Sequence, residues 1–381
     1  MLETPPLSLY VHIPWCVRKC PYCDFNSHQL RNTIPEADYI AALCDDLAFE
    51  VEQLESKPAL TSIFIGGGTP SLFKGASYKK LLSTVDTLLG IYDACEITLE
   101  ANPGTVDAEN FRAFREAGIN RLSIGIQSFA NDKLKALGRI HGGDEARRAI
   151  DTAYKAGFEN FNLDLMFGLP EQSVGQAIKD LEIALEFEPT HLSWYQLTIE
   201  PNTEFHNRPP SLPPEPMISD LQDEGIALLE DTGLHRYEVS AFAKATKQAV
   251  HNVNYWEFGD YIGIGAGAHG KLTHVGKNQI IRTRKKKQPD HYLAASVNRD
   301  AERSEVVVSE RPFEFLLNAL RLRRGFDIAL LEKRTGVTFS EIAKKVEYLS
   351  SQGLLVLESG RLSTTDRGFR MLNSILEEFL Y

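Results

Sequence analysis

Three cysteines within eight residues, Cys16, Cys20 and Cys23, form a C-x3-C-x2-C loop directly after an apolar run that ends His12-Ile13-Pro14-Trp15. Thiolates so closely spaced can grip a metal centre, and two chemistries suit them. An iron-sulfur cubane takes four cysteines when fully enclosed, so a loop offering three leaves one iron open to an outside ligand. Zinc would instead draw on His12 or His28 to complete a Cys3His tetrahedron. The remaining two cysteines, Cys44 and Cys95, have apolar neighbours and read as small core residues.

A second set of polar residues falls where apolar runs stop. Gly66-Gly67-Gly68-Thr69-Pro70 closes one run with bare backbone, which can approach a ligand closely and donate N–H groups to it. Glu100 follows Ile97-Thr98-Leu99, Gln127 follows Arg121 to Ile126, and Asp164 interrupts Asn162 to Met166. A buried carboxylate without partners is costly, so Glu100 and Asp164 need structural partners or a polar ligand. Four such residues at the ends of runs favour one shared site.

The elements that must carry these residues alternate. Short β-rich apolar runs cover Leu7 to Trp15, Ser62 to Ile65, Glu96 to Leu99, Arg121 to Ile126, Asn160 to Met166 and His191 to Ile199. Helical spacing fills Pro35 to Leu54, Asp107 to Ala117, Asp144 to Ala156 and Ser173 to Phe187. Strand-helix alternation implies parallel strands with helices outside, as a doubly wound sheet or a full or partial barrel, and ligands then bind at the carboxyl ends of the strands. The stiff PPSLPPEP segment, Pro209 to Pro216, is a long loop before a helix over Met217 to Thr232. Beyond Asp300 the spacing predicts helices over Phe313 to Arg323, Ile328 to Arg334 and Ser340 to Ser351. A hairpin over Leu354 to Ser363 turning at Ser359-Gly360, and a helix from Arg367, complete a winged-helix-like pattern.

The combination CVRKCPYC, GGGTP, LEANP, GIQSF and NLDLMFGLP resembles the radical S-adenosylmethionine (SAM) superfamily, in its oxygen-independent coproporphyrinogen III oxidase-like branch, across nearly the whole chain. The resemblance implies an α/β fold built as a partial (β/α)6 barrel over 1–245, a connecting region over 246–305 and a smaller C-terminal helical, winged-helix-like domain over 306–381. It implies that Cys16, Cys20 and Cys23 hold a [4Fe-4S] cluster whose open iron chelates SAM. Tyr10 would then lie near the methionine end, Gly67, Gly68 and Thr69 would bind the amino group, and Glu100, Gln127, Arg139 and Asp164 would line the rest of the SAM pocket. The true oxidases of this branch carry a further cysteine two places after the third and a longer N-terminal extension. Here Phe25 holds that position, which sets oxidase activity aside as the alternative.

The sequence is more similar to the heme-chaperone members of the branch, whose H-N-x-x-Y-W motif stands here as His251-Asn252-Val253-Asn254-Tyr255-Trp256. That motif sets an imidazole, a candidate heme ligand at His251, beside aromatic faces suited to a porphyrin; the competing reading is a packed histidine with Tyr255 and Trp256 in the core. The glycine-rich Gly263 to Gly270 brings backbone near the pocket with His269 at its rim. The basic run Arg282 to Lys287 reads as a solvated loop or as an attractor of heme propionates. The implied cofactors are [4Fe-4S], SAM and heme. The implied partners are hemoprotein clients such as respiratory enzymes, some of them membrane-associated, and a second copy of the chain.

Composition sets the outer limits. Of 381 residues, 41 are basic and 52 acidic, a net charge of -11 that argues against general attraction to nucleic acid. Residues 311 to 381 carry eleven basic and nine acidic side chains, a net of +2, which turns the winged-helix pattern toward packing or partner binding and away from DNA. No apolar run reaches the ~20 residues of a membrane span, and Met1 to Ser8 lacks the basic and apolar regions of a signal peptide, so the expected location is the cytoplasm.

Overall fold

The computed structural model describes residues 1–380. Six parallel strands carry the alternation expected: Leu7–Ile13 (β1), Leu60–Gly67 (β2), Ile91–Ala101 (β3), Arg121–Gln127 (β4), Phe161–Phe167 (β5) and His191–Gln196 (β6). They lie side by side in sequence order, which short right-handed crossovers enforce. β1 and β5 are buried at nearly every position, as strands covered on both faces must be.

The helices after the first five strands are Glu36–Glu52 (α1), Gly75–Leu89 (α2), Ala108–Ala117 (α3), Gly143–Lys155 (α4) and Val174–Leu185 (α5). Local chemistry sets their ends. Asp107 accepts from the N–H groups of Glu109 and Asn110 to start α3, and Gly118, at φ 108°, ends it in the left-handed region. Ser173 and Gln176 close a reciprocal capping box on α5. One core joins the apolar faces of these helices to the strands, with Leu9, Ile63, Leu99, Leu122 and Leu163 fully buried in it.

The parallel sheet does not stop at β1. A seventh parallel strand, Asp260–Ile264, pairs with β1 from Leu7↔Asp260 to Val11↔Ile264. The antiparallel strands His269–His274, Gln279–Lys285 and Asp300–Glu305 then extend that edge, and Ala241–Ala243 with His235–Arg236 extends the other, giving twelve strands in one unclosed sheet. The stretch 246–305, expected as a connection, thus supplies four strands and the short helices Val250–Trp256 and Pro289–Ala294. Its first strand, with Tyr261, Ile262 and Ile264 as apolar positions, finds its partner some 250 positions away, so no local signal marks its place beside β1.

The C-terminal segment forms helices Arg311–Ala319, Ile328–Thr335 and Ala343–Ser351 and a three-stranded sheet of Phe326–Asp327, Arg361–Thr364 and Leu355–Glu358. Ser359 and Gly360, at φ 52° and 78°, make the tight turn expected there. The final helix divides into Asp366–Arg370 and Leu372–Glu377. This unit is welded to the sheet: Phe315, Leu316 and Leu362 share a core with Leu2, Phe258, Ile280 and Val306. Among the described residues no helix is long and apolar enough to cross a membrane.

Candidate functional site

At the carboxyl end of β1 the chain turns into the cysteine loop, which is held by its own backbone. Trp15–Cys16 pairs with His28–Gln29, Leu30 N donates to Cys16 O (2.9 Å) and Cys23 N to Cys20 O (3.1 Å). All three thiols are free and half-buried, and they face a cleft of about 340 Å³. Burial pushes the Cys16 and Cys23 thiols up, and each is raised further by its cysteine neighbours. Cys23 Sγ lies 3.7 Å from Ser27 Oγ, and Arg139 Nη1 donates to Cys20 Sγ at 3.8 Å.

Of the two histidines the zinc alternative could draw on, one is already committed. Both ring nitrogens of His12 are committed, Nδ1 to Tyr10 Oη (2.9 Å) and Nε2 to Asn26 O (2.9 Å). Among the described residues, no three His, Cys, Asp or Glu side chains converge closely enough to hold a single metal ion. Three spread thiols on one loop suit a larger polynuclear centre, whose irons each take one ligand.

The other wall of the cleft is made by alternating positions of neighbouring strands. Glu100 pairs with Ser123 across β3 and β4, Gly125 with Asp164 across β4 and β5, and Asp164 with Ser193 across β5 and β6. Asp164 accepts from Ser123 Oγ (2.9 Å) and Asn162 Nδ2 (2.7 Å), yet burial still raises its carboxyl. Glu100 accepts only from Gly67 N (2.9 Å); burial, and then the nearby Asp164, push it up to about 8. Two carboxyls this poorly neutralised, together on one cleft, form a site that favours a cation.

The glycine run works differently from its expected role. Gly67 N is taken by Glu100, Gly68 N by Ile13 O (2.7 Å) and Thr69 N by Trp15 O (2.8 Å), so no N–H of these three is free for a ligand. Its carbonyl oxygens are what it can offer, and acceptors suit an amine. The need for glycine is steric: at Gly67, φ 115°, a Cβ would stand 2.5 Å from His12 Cε1.

Two buried groups on the cleft lack partners. Gln127, at φ 63° where β4 ends, leaves Oε1 without a hydrogen bond, and Arg139 leaves Nε without one while its Nη2 donates to Gly125 O (2.8 Å). An unmet acceptor and an unmet donor of a guanidinium fit a ligand that is itself zwitterionic, its ammonium toward the carboxylates and its carboxylate toward arginine. The cleft therefore brings together Cys16, Cys20, Cys23, Gly67, Gly68, Thr69, Glu100, Gln127, Arg139 and Asp164. Tyr10 lies beside it, lining an adjoining cleft of about 690 Å³ that shares Gly67 and Glu100. Asn102, Ser123, Ser193 and Tyr195 also line the first cleft and were not singled out from sequence. Ser193 and Tyr195 alternate along one face of β6, a period-2 signal available in principle.

His251 is elsewhere. It is 3% exposed, its ring stacked 4.8 Å from Phe64 and set edge-on to Tyr255 at 4.3 Å, with Nδ1 unpartnered. Burial, with Arg121 nearby, drives its pKa down to about 3. The rest of its motif ties elements together: Asn252 Nδ2 donates to Tyr237 Oη, Asn254 Nδ2 to Ser8 Oγ and Asp260 O, and Trp256 stacks under Arg321. An iron could reach His251 only after this packing opened, so the structure does not bring it to the cleft with the cysteines.

Residues 10–184 match the model of the radical SAM superfamily, and 308–371 match the HemN C-terminal domain. The chain is 48% identical to the heme chaperone HemW of Haemophilus influenzae, covering 100% of this chain and 99% of that one. It is 47% identical to the heme chaperone HemW of Escherichia coli over the whole of both chains, and 32% identical to that of Bacillus subtilis over 98% and 99%. Its fold is similar to the solved coproporphyrinogen III oxidase HemN of Escherichia coli, with a TM-score of 0.83 at 22% identity, covering 99% of this chain and 90% of that one.

Proposed function

Since the chain belongs to the HemW family of heme chaperones within the radical SAM superfamily, we propose that it takes up heme and passes it to hemoproteins, while carrying a [4Fe-4S] cluster and binding SAM. The observation that carries this reading is kinship running the full length of both chains, which covers the cluster loop, the sheet extension and the C-terminal unit together. Respiratory enzymes are the proposed clients, the cytoplasm the place of loading, and self-association of two copies the proposed assembly.

Cys16, Cys20 and Cys23 would hold the cluster, whose open iron supplies a coordination site for the amine and carboxylate of SAM. Glu100 and Asp164 balance the positive charges of SAM, Gly67, Gly68 and Thr69 present carbonyl oxygens to its amine, and Arg139 with Gln127 fills the remaining polar needs. Tyr10, fixed by its bond to His12, closes the cleft toward its neighbour. His251 steadies the ring stack behind Tyr10.

The decisive experiment is anaerobic titration of the purified, cluster-loaded protein with hemin, followed by incubation with an apo-hemoprotein and, separately, with coproporphyrinogen III, SAM and reductant. One heme bound saturably per chain and transferred to the acceptor, without coproporphyrinogen consumption, is the expected result. Repeated turnover of coproporphyrinogen would make the protein an oxidase.

SAM binding should depend on pH through Glu100. In the ligand-free protein this carboxyl, held at about 8, is neutral below that value. A cation seated against it requires the proton to leave, and that cost falls by about 1.4 kcal/mol for each pH unit gained. Affinity should therefore rise up to about tenfold per unit between pH 6 and 8 and level off above. Glu100→Gln should flatten the curve in isothermal titration; an equally steep curve in that variant would assign the proton elsewhere.

A further inference from the structure

Building on the heme reading above, we propose that the heme iron is ligated by His269, in the open cleft that adjoins the cluster site, and not by His251. The cleft holds about 690 Å³, within the ~300–1,000 Å³ common for small-molecule and cofactor sites. Its walls set aromatic rings among polar and charged side chains. Phe25, 60% exposed on the cysteine loop, Tyr255 from the helix Val250–Trp256 and Tyr261 from the strand beside β1 supply aromatic faces, while Lys19 and Lys287 on the same cleft are cations that propionates could pair with.

His269 begins its strand immediately after the turn Gly265–Ala268 and is exposed. Among the described residues its ring makes no hydrogen bond or ion pair, so both nitrogens are available. It also lines a second cleft, of about 630 Å³, that runs under the C-terminal unit past the exposed Leu317. A ring centred on His269 could extend one edge into this second cleft, toward Phe313, Leu317 and Phe379. Partial burial, then the positive charges of Arg284, Lys287 and Arg282, lowers the His269 pKa, so the imidazole is neutral at physiological pH and no proton competes with iron. Phe25 lines both the 690 Å³ cleft and the thiol cleft, standing between the proposed heme and the cluster.

Delivery gives the choice its logic. A carrier must release its cargo when a client competes for it. An exposed ligand at the mouth of an open cleft exchanges without disturbing the core, whereas uncovering His251 would require unstacking Phe64 and Tyr255 and would cost core packing.

The test is hemin titration of the cluster-loaded full chain, wild type against His269→Ala, His251→Ala and Lys287→Glu, read by Soret absorbance and magnetic circular dichroism. His269→Ala should lose the histidine-ligated signature and weaken binding at least tenfold, and added imidazole should restore the signature. Imidazole rescue separates a lost ligand from a misfolded chain. Lys287→Glu should weaken binding several-fold while leaving the ligand signature intact. An unchanged spectrum in His269→Ala, or loss of the signature in His251→Ala alone, overturns the assignment while the heme-carrier reading stands. No saturable binding by the wild type removes that reading and this site together.

Discussion

With Cys16, Cys20 and Cys23 all replaced by alanine, the protein should leave anaerobic reconstitution colourless, without the broad iron-sulfur absorbance, and its SAM affinity should fall at least tenfold. The first outcome follows from ligand count. The loop offers three thiols facing one cleft, His12 has both nitrogens engaged, and no other cysteine lines that cleft. The second follows because chelation by the open iron adds a contact that protein side chains do not replace, and tenfold corresponds to about 1.4 kcal/mol. The fold should tolerate the change. The loop is braced by Leu30 N to Cys16 O, His28 N to Pro14 O and Cys23 N to Cys20 O, none of which uses a sulfur. Circular dichroism and the melting temperature of the apo forms should therefore agree. A triple variant that still assembles a cubane would move the cluster to ligands outside this loop. Hemin binding gives a second separation: the proposed heme ligand, His269, belongs to the neighbouring cleft, so the colourless variant should still bind heme.

What the sequence made legible divides along one physical line, the distance over which the relevant contacts act. The cysteine loop was readable because its chemistry depends on spacing within eight residues. Glu100 and Asp164 were readable because a carboxylate in an apolar run breaks its own pattern. The six strands β1 to β6 were readable because apolar runs and helices alternate locally. The place of the strand Asp260–Ile264 beside β1 was not, since its register against Leu7–Val11 is fixed only by folding. Nor could Gly68 and Thr69 be seen to have spent their N–H groups on Ile13 and Trp15, because those bonds cross between strand ends. His251 shows the limit most clearly. Its motif reports which residue types are neighbours in the chain, but Phe64 and Glu96, which bury it and tie its backbone, lie more than 150 positions away. The resemblance implied a cluster on the three cysteines and the α/β fold, while the side of the sheet on which each motif residue ended could come only from three-dimensional packing.

Lys285→Met should cost about 3–5 kcal/mol of stability. Lys285 is fully buried, and its ammonium donates to Asp46 (2.7 Å), Glu50 (2.6 Å) and Asp300 (2.8 Å). Arg303 remains for Glu50 and Asp300, so the loss concentrates on Asp46, which is buried and keeps only the Tyr292 hydroxyl and the Gly265 N–H. Burial already raises the Asp46 carboxyl with Lys285 in place; without the cation it should rise further. A carboxyl raised above its unfolded value of about 3.9 binds its proton more tightly in the folded state. Stability then falls as pH climbs from that value toward the raised one, so the defect should be smaller at pH 5 than at pH 8. Adding Asp46→Asn should recover part of the loss at pH 8 and little at pH 5. Chemical denaturation of the three proteins at both values checks this; a defect independent of pH would mean that packing, not charge, is what Lys285 provides. The consequence reaches the site. Asp46 and Tyr292 hold Gly265, Tyr39 bridges His12 O and Ala266 N, and Asn26 Nδ2 donates to Ala266 O and Lys287 O, so one polar network joins helix α1, the glycine turn before His269 and the cysteine loop. Loosening it should shorten cluster lifetime in air before the protein unfolds, because the loop that carries Cys23 loses its anchor at Asn26.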